Sequence, residues 1–135
     1  MKLIFVDTSA WIALNFQRDQ LYSKAVTMNR QLLKQGHRYI TSNFVLDETY
    51  TGMLNKIPHH RITEFGENIR NSKLIRVIHI DQHIEDKAWN LFSRYGDKLF
   101  SFTDCTSFII MQEYKISTAF TNDHHFEQFG FKILL

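Results

Sequence analysis

At 135 residues and 16.1 kDa, the chain has the length of one domain and enough residues to close a hydrophobic core. An apolar fraction of 44% with a charged fraction of 22% excludes a disordered or low-complexity chain, and no apolar run approaches the ~18 residues of a membrane span. The lone Cys105 excludes an intrachain disulfide and a cysteine zinc motif, and a formal charge of +2 is too small to identify a partner.

The first apolar run reads as a buried strand over Leu3–Val6, ended by Asp7. It is cut off too early for the h-region of a signal peptide, about 7–15 residues long, so a cytoplasmic protein is expected. A short helix is predicted from about Ser9 to Phe16, and a second from the spacing of Leu21, Ala25, Met28 and Leu32, with Gly36 as its stop. Arg38–Thr41 is a short strand. Leu46, Tyr50, Met53, Leu54 and Ile57 then recur at helical spacing from near Asn43, and Pro58 breaks that helix from the next, marked by Ile62, Phe65 and Ile69. Leu74–Ile80 is strand-like, and Asp81 caps a helix patterned by Ile84, Ala88, Leu91, Phe92 and Tyr95. A loop over Gly96–Thr103 leads to a helix from Asp104 to about Tyr114. Ile116–Phe120 is a strand, Asn122–Gln128 a short helix, and Phe131–Leu134 a terminal strand after Gly130. Such alternation predicts an α/β fold, a central parallel sheet flanked by helices, in a single domain over residues 1–135. Twelve phenylalanines predict a phenylalanine-rich core, with Cys105 as a small member of it.

Four acidic residues stand at the joints of this pattern. Asp7 and Asp123 follow strands, Asp104 opens a helix, and Glu48 lies within one. In a parallel α/β sheet, ligands bind where the carboxyl ends of the strands meet. Aspartate before a helix is equally suited to capping its first N–H groups, and Thr103 competes with Asp104 for that role. Glu48 points away from its helix's apolar stripe, as a solvated residue or a cleft-facing ligand would, and Asp47 beside it is as acidic. Taken together, the four positions favour a shared site. Like charges gathered there are costly unless protons or cations occupy them, and hard oxygen ligands suit Mg²⁺ or Mn²⁺. With these four set aside, the rest of the chain holds 16 basic against ten acidic residues, a basic body suited to attracting phosphates.

Val6-Asp7-Thr8-Ser9-Ala10-Trp11, Leu46-Asp47-Glu48, Phe102-Thr103-Asp104-Cys105 and Thr121-Asn122-Asp123-His124-His125-Phe126, with Gly130-Phe131 near the end, occur in the order found in PIN-domain ribonucleases. The chain resembles that family over nearly its whole length, and VapC-type toxins within it most of all. The resemblance implies metal binding by Asp7 and Asp104, a site completed by Glu48 and Asp123, and a hydroxyl at Thr121 nearby. Thr8 or Ser9 is expected to cap the first helix beside it. It further implies an Mg²⁺- or Mn²⁺-dependent endoribonuclease leaving 5′-phosphate and 3′-hydroxyl ends, a small antitoxin partner and a homodimer. The alternative is a non-catalytic PIN scaffold that binds RNA or protein partners. A haloacid-dehalogenase-like phosphatase would need Asp-x-Asp after the first strand, where this chain has Asp7-Thr8-Ser9.

His124-His125 departs from the family pattern. The pair can contact phosphate or a transition metal, but on a short helix it reads more simply as solvent-facing. His59-His60, after Pro58, reads as the opening of a helix. Candidate RNA contacts are a basic patch of Lys56, His59, His60 and Arg61, a second of Arg94 and Lys98, and the aromatic rings of Trp11, Tyr22 and Tyr95. Ala10, Trp11 and the apolar side of the helix near Leu21 are candidates for an antitoxin groove, with core packing the simpler reading.

Overall fold

The computed structural model describes residues 2–135. Its centre is β1 (Leu3–Val6), whose Ile4, Phe5 and Val6 are all buried, as expected for a strand covered on both faces. On one side β1 pairs in parallel with β2 (Arg38–Ser42), and β2 with β3 (Ile75–Ile78). On the other it pairs with β4 (Thr118–Phe120), and β4 with β5 (Lys132–Ile133), again in parallel. The order is therefore β3-β2-β1-β4-β5. The chain first builds outward from β1 to β3, then crosses back to the far side of β1. That reversal leaves a crevice between the carboxyl ends of β1 and β4, the topological switch point of an open α/β sheet.

Helices α1 (Thr8–Asn15) and α2 (Tyr22–Lys34) connect β1 to β2, and α3 (Asn43–Met53) and α4 (His59–Asn71) connect β2 to β3. Helices α5 (Gln82–Arg94) and α6 (Phe102–Glu113) lead to β4, and α7 (His124–Phe129) to β5. Helix α2 stops where expected: Gly36 takes φ +87°, and the N–H groups of Gly36 and His37 return to the carbonyls of Leu33 and Leu32. Asp81 caps α5 by accepting the Ile84 N–H. The outer strands are shorter than the sequence pattern suggested, because only Ile75–Ile78 and Lys132–Ile133 find partners. Helix α3 buries Val45, Leu46, Thr49 and Met53, whereas Leu54, expected on its apolar stripe, follows the helix and is exposed.

The phenylalanine-rich core lies beneath α6 and α7. Phe108 stacks on Phe129 with ring centroids 4.5 Å apart, and meets Phe126 and Phe100 edge-on at 5.0 and 5.1 Å. Cys105 is fully buried there, and burial pushes its thiol up to about 11. It is a core residue, as its sequence position implied. Among the described residues, no helix is long and apolar enough to cross a membrane.

Candidate active site

Sheet register explains the first contact of the site. Val6 and Phe120 are partners across the β1–β4 seam, so the next residues, Asp7 and Thr121, leave the sheet side by side. The Asp7 N–H donates to the Phe120 carbonyl, and the Thr121 hydroxyl donates to Asp7 Oδ2 at 3.0 Å. Thr121 Oγ1 also accepts the Asp123 N–H at 3.0 Å and lies 3.0 Å from Ser9 Oγ. A hydroxyl has one proton to give, and that of Thr121 goes to Asp7. Ser9 must therefore donate to Thr121, while accepting the Asn122 N–H at 2.9 Å. This closed network locks the two strand ends together. Neither Thr8 nor Ser9 caps α1, contrary to expectation: Asp7 holds the N-cap position, and its side chain makes no capping bond. Ser9 is occupied by the β4 side of the seam, and the Thr8 hydroxyl donates to the Val45 carbonyl at 3.3 Å.

Helix α3 is tied to the same place. Ser42 caps it through the Val45 N–H, and fully buried Thr49 donates to the Val45 carbonyl at 2.7 Å with its Oγ1 3.3 Å from Thr8 Oγ1. The docking separates the two neighbouring acids of α3. Glu48 is exposed but close enough for its charge to act on Asp7. Asp47 instead lines a cleft of about 520 Å³ at the β3 edge with Tyr50, Arg70 and His79; none of the four candidate acids borders that cleft. The sequence signal that could have found Thr49 is faint: a hydroxyl in an otherwise apolar face.

Asp104 does not open its helix. Ser101 is the N-cap of α6 and forms a capping box with Asp104: Ser101 Oγ accepts the Asp104 N–H at 2.9 Å, and Asp104 Oδ2 accepts the Ser101 N–H at 3.1 Å. Asp104 thus stands one turn inside the helix, aimed at the crevice. Asp123 does cap α7, its Oδ1 accepting the His125 N–H at 2.9 Å. The expectation of a solvent-facing histidine pair is half wrong. His124 is exposed beside Glu127, whereas the half-buried His125 turns inward and places Nδ1 2.8 Å from Asp104 Oδ2 and 3.5 Å from Asp123 Oδ1. The sequence admits a phosphate or metal contact for this pair but favours the solvent-facing reading, which holds for His124 alone. His59 and His60 open α4 and are exposed.

The electrostatics match a cation site. Asp7 is 5% exposed, and burial raises its carboxyl from 3.8 to about 7; the Thr8 amide and Thr121 hydroxyl pull it down, while the charges of Asp104 and Glu48 push it further up. Asp104 is also raised, first by burial and then by Asp123, against the lowering contacts of His125 and Ser101. Asp104, Asp123 and His125 each bring one ligand atom to within 4.8 Å of the others. Asp7 is coupled by charge to that group through Asp104, and also to Glu48. Buried carboxylates that resist ionisation alone, beside oxygen and nitrogen donors at ligand spacing, fit a divalent metal ion.

Two other expectations fail on burial. Trp11 is 3% exposed, packed edge-on against Tyr39 and Phe65 with Nε1 donating to Thr41 Oγ1. It is not free to stack on a base. With Ala10 at 0% exposure, the pair offers no groove to a partner either.

The PIN domain family matches residues 4–132. The 23S rRNA-specific endonuclease VapC20 of Mycobacterium tuberculosis is 36% identical over 129 residues, covering 96% of this chain and 95% of its own length. A VapC ribonuclease of Archaeoglobus fulgidus is 30% identical over 115 residues, covering 82% and 71% respectively. The crystal structure of VapC20, described as a sarcin-ricin-loop-cleaving toxin, superposes with a TM-score of 0.84 over 95% of both chains. VapBC2 from Rickettsia felis, solved on a DNA fragment of its promoter, shares the fold at a TM-score of 0.67 and 12% identity, covering 97% of this chain and 96% of that one.

Proposed function

This chain belongs to the PIN-domain family, and from that premise we propose that it is a divalent-metal-dependent endoribonuclease, the toxin of a toxin–antitoxin pair. The observation that carries the reading is the convergence of Asp7, Glu48, Asp104 and Asp123 on the crevice between β1 and β4, where buried Asp7 resists ionisation until about pH 7. Asp104 and Asp123 would hold Mg²⁺ or Mn²⁺, with Asp7 flanking them. When bound, the ion supplies charge neutralisation for the scissile phosphate and acidifies water for in-line attack. The residues do the rest. The Thr121 hydroxyl holds the Asp7 carboxylate in orientation, and burial keeps Asp7 and Asp104 from being screened by solvent. Glu48, exposed at the rim and acting by charge on Asp7, would orient the attacking water and accept its proton. The products carry 5′-phosphate and 3′-hydroxyl ends.

A basic rim supports RNA as substrate. Lys56 lines one shallow cleft with Ser9 and Asn122, at the edge of the site, and another with Arg18 and Arg61 further out. Phosphates leaving the crevice would meet these cations in turn. The first target to test is 23S rRNA, on which VapC20 acts. A small antitoxin covers the site in the resting cell, and the toxin is a cytoplasmic homodimer; the VapBC2 assembly, of the same fold, supports the antitoxin reading.

The test is cleavage of 23S rRNA, tRNA and mRNA fragments by the wild-type protein and Asp7→Asn, purified identically, with Mn²⁺, Mg²⁺ or EDTA. Metal-dependent cleavage that is lost in the variant supports the nuclease. Equal cleavage by both proteins, or no metal binding by the wild type, overturns it in favour of a non-catalytic scaffold.

A further inference from the structure

We infer that His125 is a nitrogen ligand of the metal centre, and that it makes the centre select first-row transition ions over Mg²⁺. This deepens the nuclease reading and rests on it. His125 Nδ1 lies 2.8 Å from Asp104 Oδ2 and 3.5 Å from Asp123 Oδ1. Neighbouring ligand atoms on a six-coordinate ion with bonds of about 2.1 Å are roughly 3 Å apart, so His125 Nδ1 already stands near ligand spacing from both carboxylates, and the three ligand atoms lie within 4.8 Å of one another. The residue is held at both its backbone and its ring. Its own backbone N–H is held by Asp123 Oδ1, and its ring meets buried Phe100 edge-on at 5.4 Å and 77°. The adjacent His124 has neither restraint and faces Glu127 in solvent. Thus one histidine of the pair is built into the centre and the other is not.

The chemistry of the donor set sets the selectivity. Mg²⁺ takes oxygen ligands and gives up its water reluctantly, whereas imidazole is a good ligand for first-row transition ions. Two carboxylates and an imidazole form a mixed set in which the nitrogen contributes to a transition ion and little to Mg²⁺.

Mn²⁺ serves as the probe, because its electron spin echo envelope is modulated by a directly bound imidazole nitrogen. The full chain is loaded with Mn²⁺, its affinity measured by electron paramagnetic resonance, and Mg²⁺ titrated in as competitor. The same is done for His125→Ala, His125→Asp and Asp104→Asn, with folding followed by circular dichroism. Nitrogen modulation is expected in the wild type and its absence in both His125 variants. The excess of Mg²⁺ needed to displace Mn²⁺ should fall roughly tenfold or more in His125→Asp, which restores an oxygen donor. Mn²⁺ bound to the wild type without nitrogen modulation overturns the His125 assignment and leaves the nuclease reading standing. Absence of Mn²⁺ binding, or binding unchanged in Asp104→Asn, overturns both. The wild-type spectrum decides the point even if His125→Ala fails to fold.

Discussion

Thr121 donates its hydroxyl proton to Asp7 across the β1–β4 seam, a 3.0 Å bond between residues 114 positions apart. Hydrogen bonds to a charged partner are worth about 1.5–3 kcal/mol. Thr121→Val removes the donor at nearly constant volume, so the Asp7 carboxyl should rise above its present value of about 7. Carbon-detected NMR titration of Asp7 in EDTA reads this directly, and Thr121→Ser should restore the original midpoint.

Ionisation of Asp7 works against the metal-free fold. Its folded carboxyl is raised to about 7 from 3.8, so the folded state holds a proton that the unfolded chain has released. The contribution favours folding fully below about pH 4 and is lost as pH rises through about 7. Asp7→Asn cannot ionise. In EDTA its melting temperature should match the wild type near pH 4 and exceed it at pH 8, by about 1–3 kcal/mol of stability. A wild-type melting point that tracks the variant across that range contradicts the prediction.

Asp47 and Glu48 are neighbours on α3 with separate surroundings, the first lining the β3-edge cleft and the second acting on Asp7. Glu48→Gln should lower RNA cleavage by about 10²-fold or more if it serves as proton acceptor. Asp47→Asn should leave the rate unchanged. Single-turnover kinetics on one RNA substrate separate them.

Lys56, between the crevice and the Arg18–Arg61 cleft, should pair with an RNA phosphate. Lys56→Gln is expected to weaken RNA binding and reduce the slope of log affinity against log salt by about 0.7, the value for one phosphate of a single strand left unneutralised. Fluorescence anisotropy with an inactive Asp7→Asn background measures it without turnover.

Phe108 touches Phe100, Phe126, Phe129 and Phe131 and has no exposed surface. Phe108→Ala should cost about 3–5 kcal/mol in chemical denaturation. Because Phe100 also braces His125, the cavity should loosen the ring facing Asp104.

Much of the architecture is legible in the sequence because it rests on local signals. Apolar runs mark strands, Gly36 supplies a left-handed backbone, and Asp81 stands where a helix has to begin. Asp7 and Asp123 can be placed at strand ends because each closely follows an apolar run. Asp104 is harder, since Ser101 and Thr103 are equally good caps by residue type and only the Ser101-x-x-Asp104 box decides between them. Local pattern cannot separate Glu48 from Asp47, as that choice depends on Thr49 reaching Thr8 on another helix. Trp11 looks available to RNA in the sequence; two distant rings, Tyr39 and Phe65, bury it. His125 escapes a local reading for the same reason, its direction being set by Phe100, 25 residues away.

The switch-point crossover also orders events in time. Asp7 precedes its hydroxyl partner Thr121 by 114 residues, and Asp104, Asp123 and His125 beside it also come from β4's half of the chain. Synthesis runs from the N-terminus, so every nascent or prematurely terminated chain that stops short of β4 lacks half the centre. The seam can close only once β4 has been made, so the centre forms late relative to the β1–β2–β3 half of the sheet.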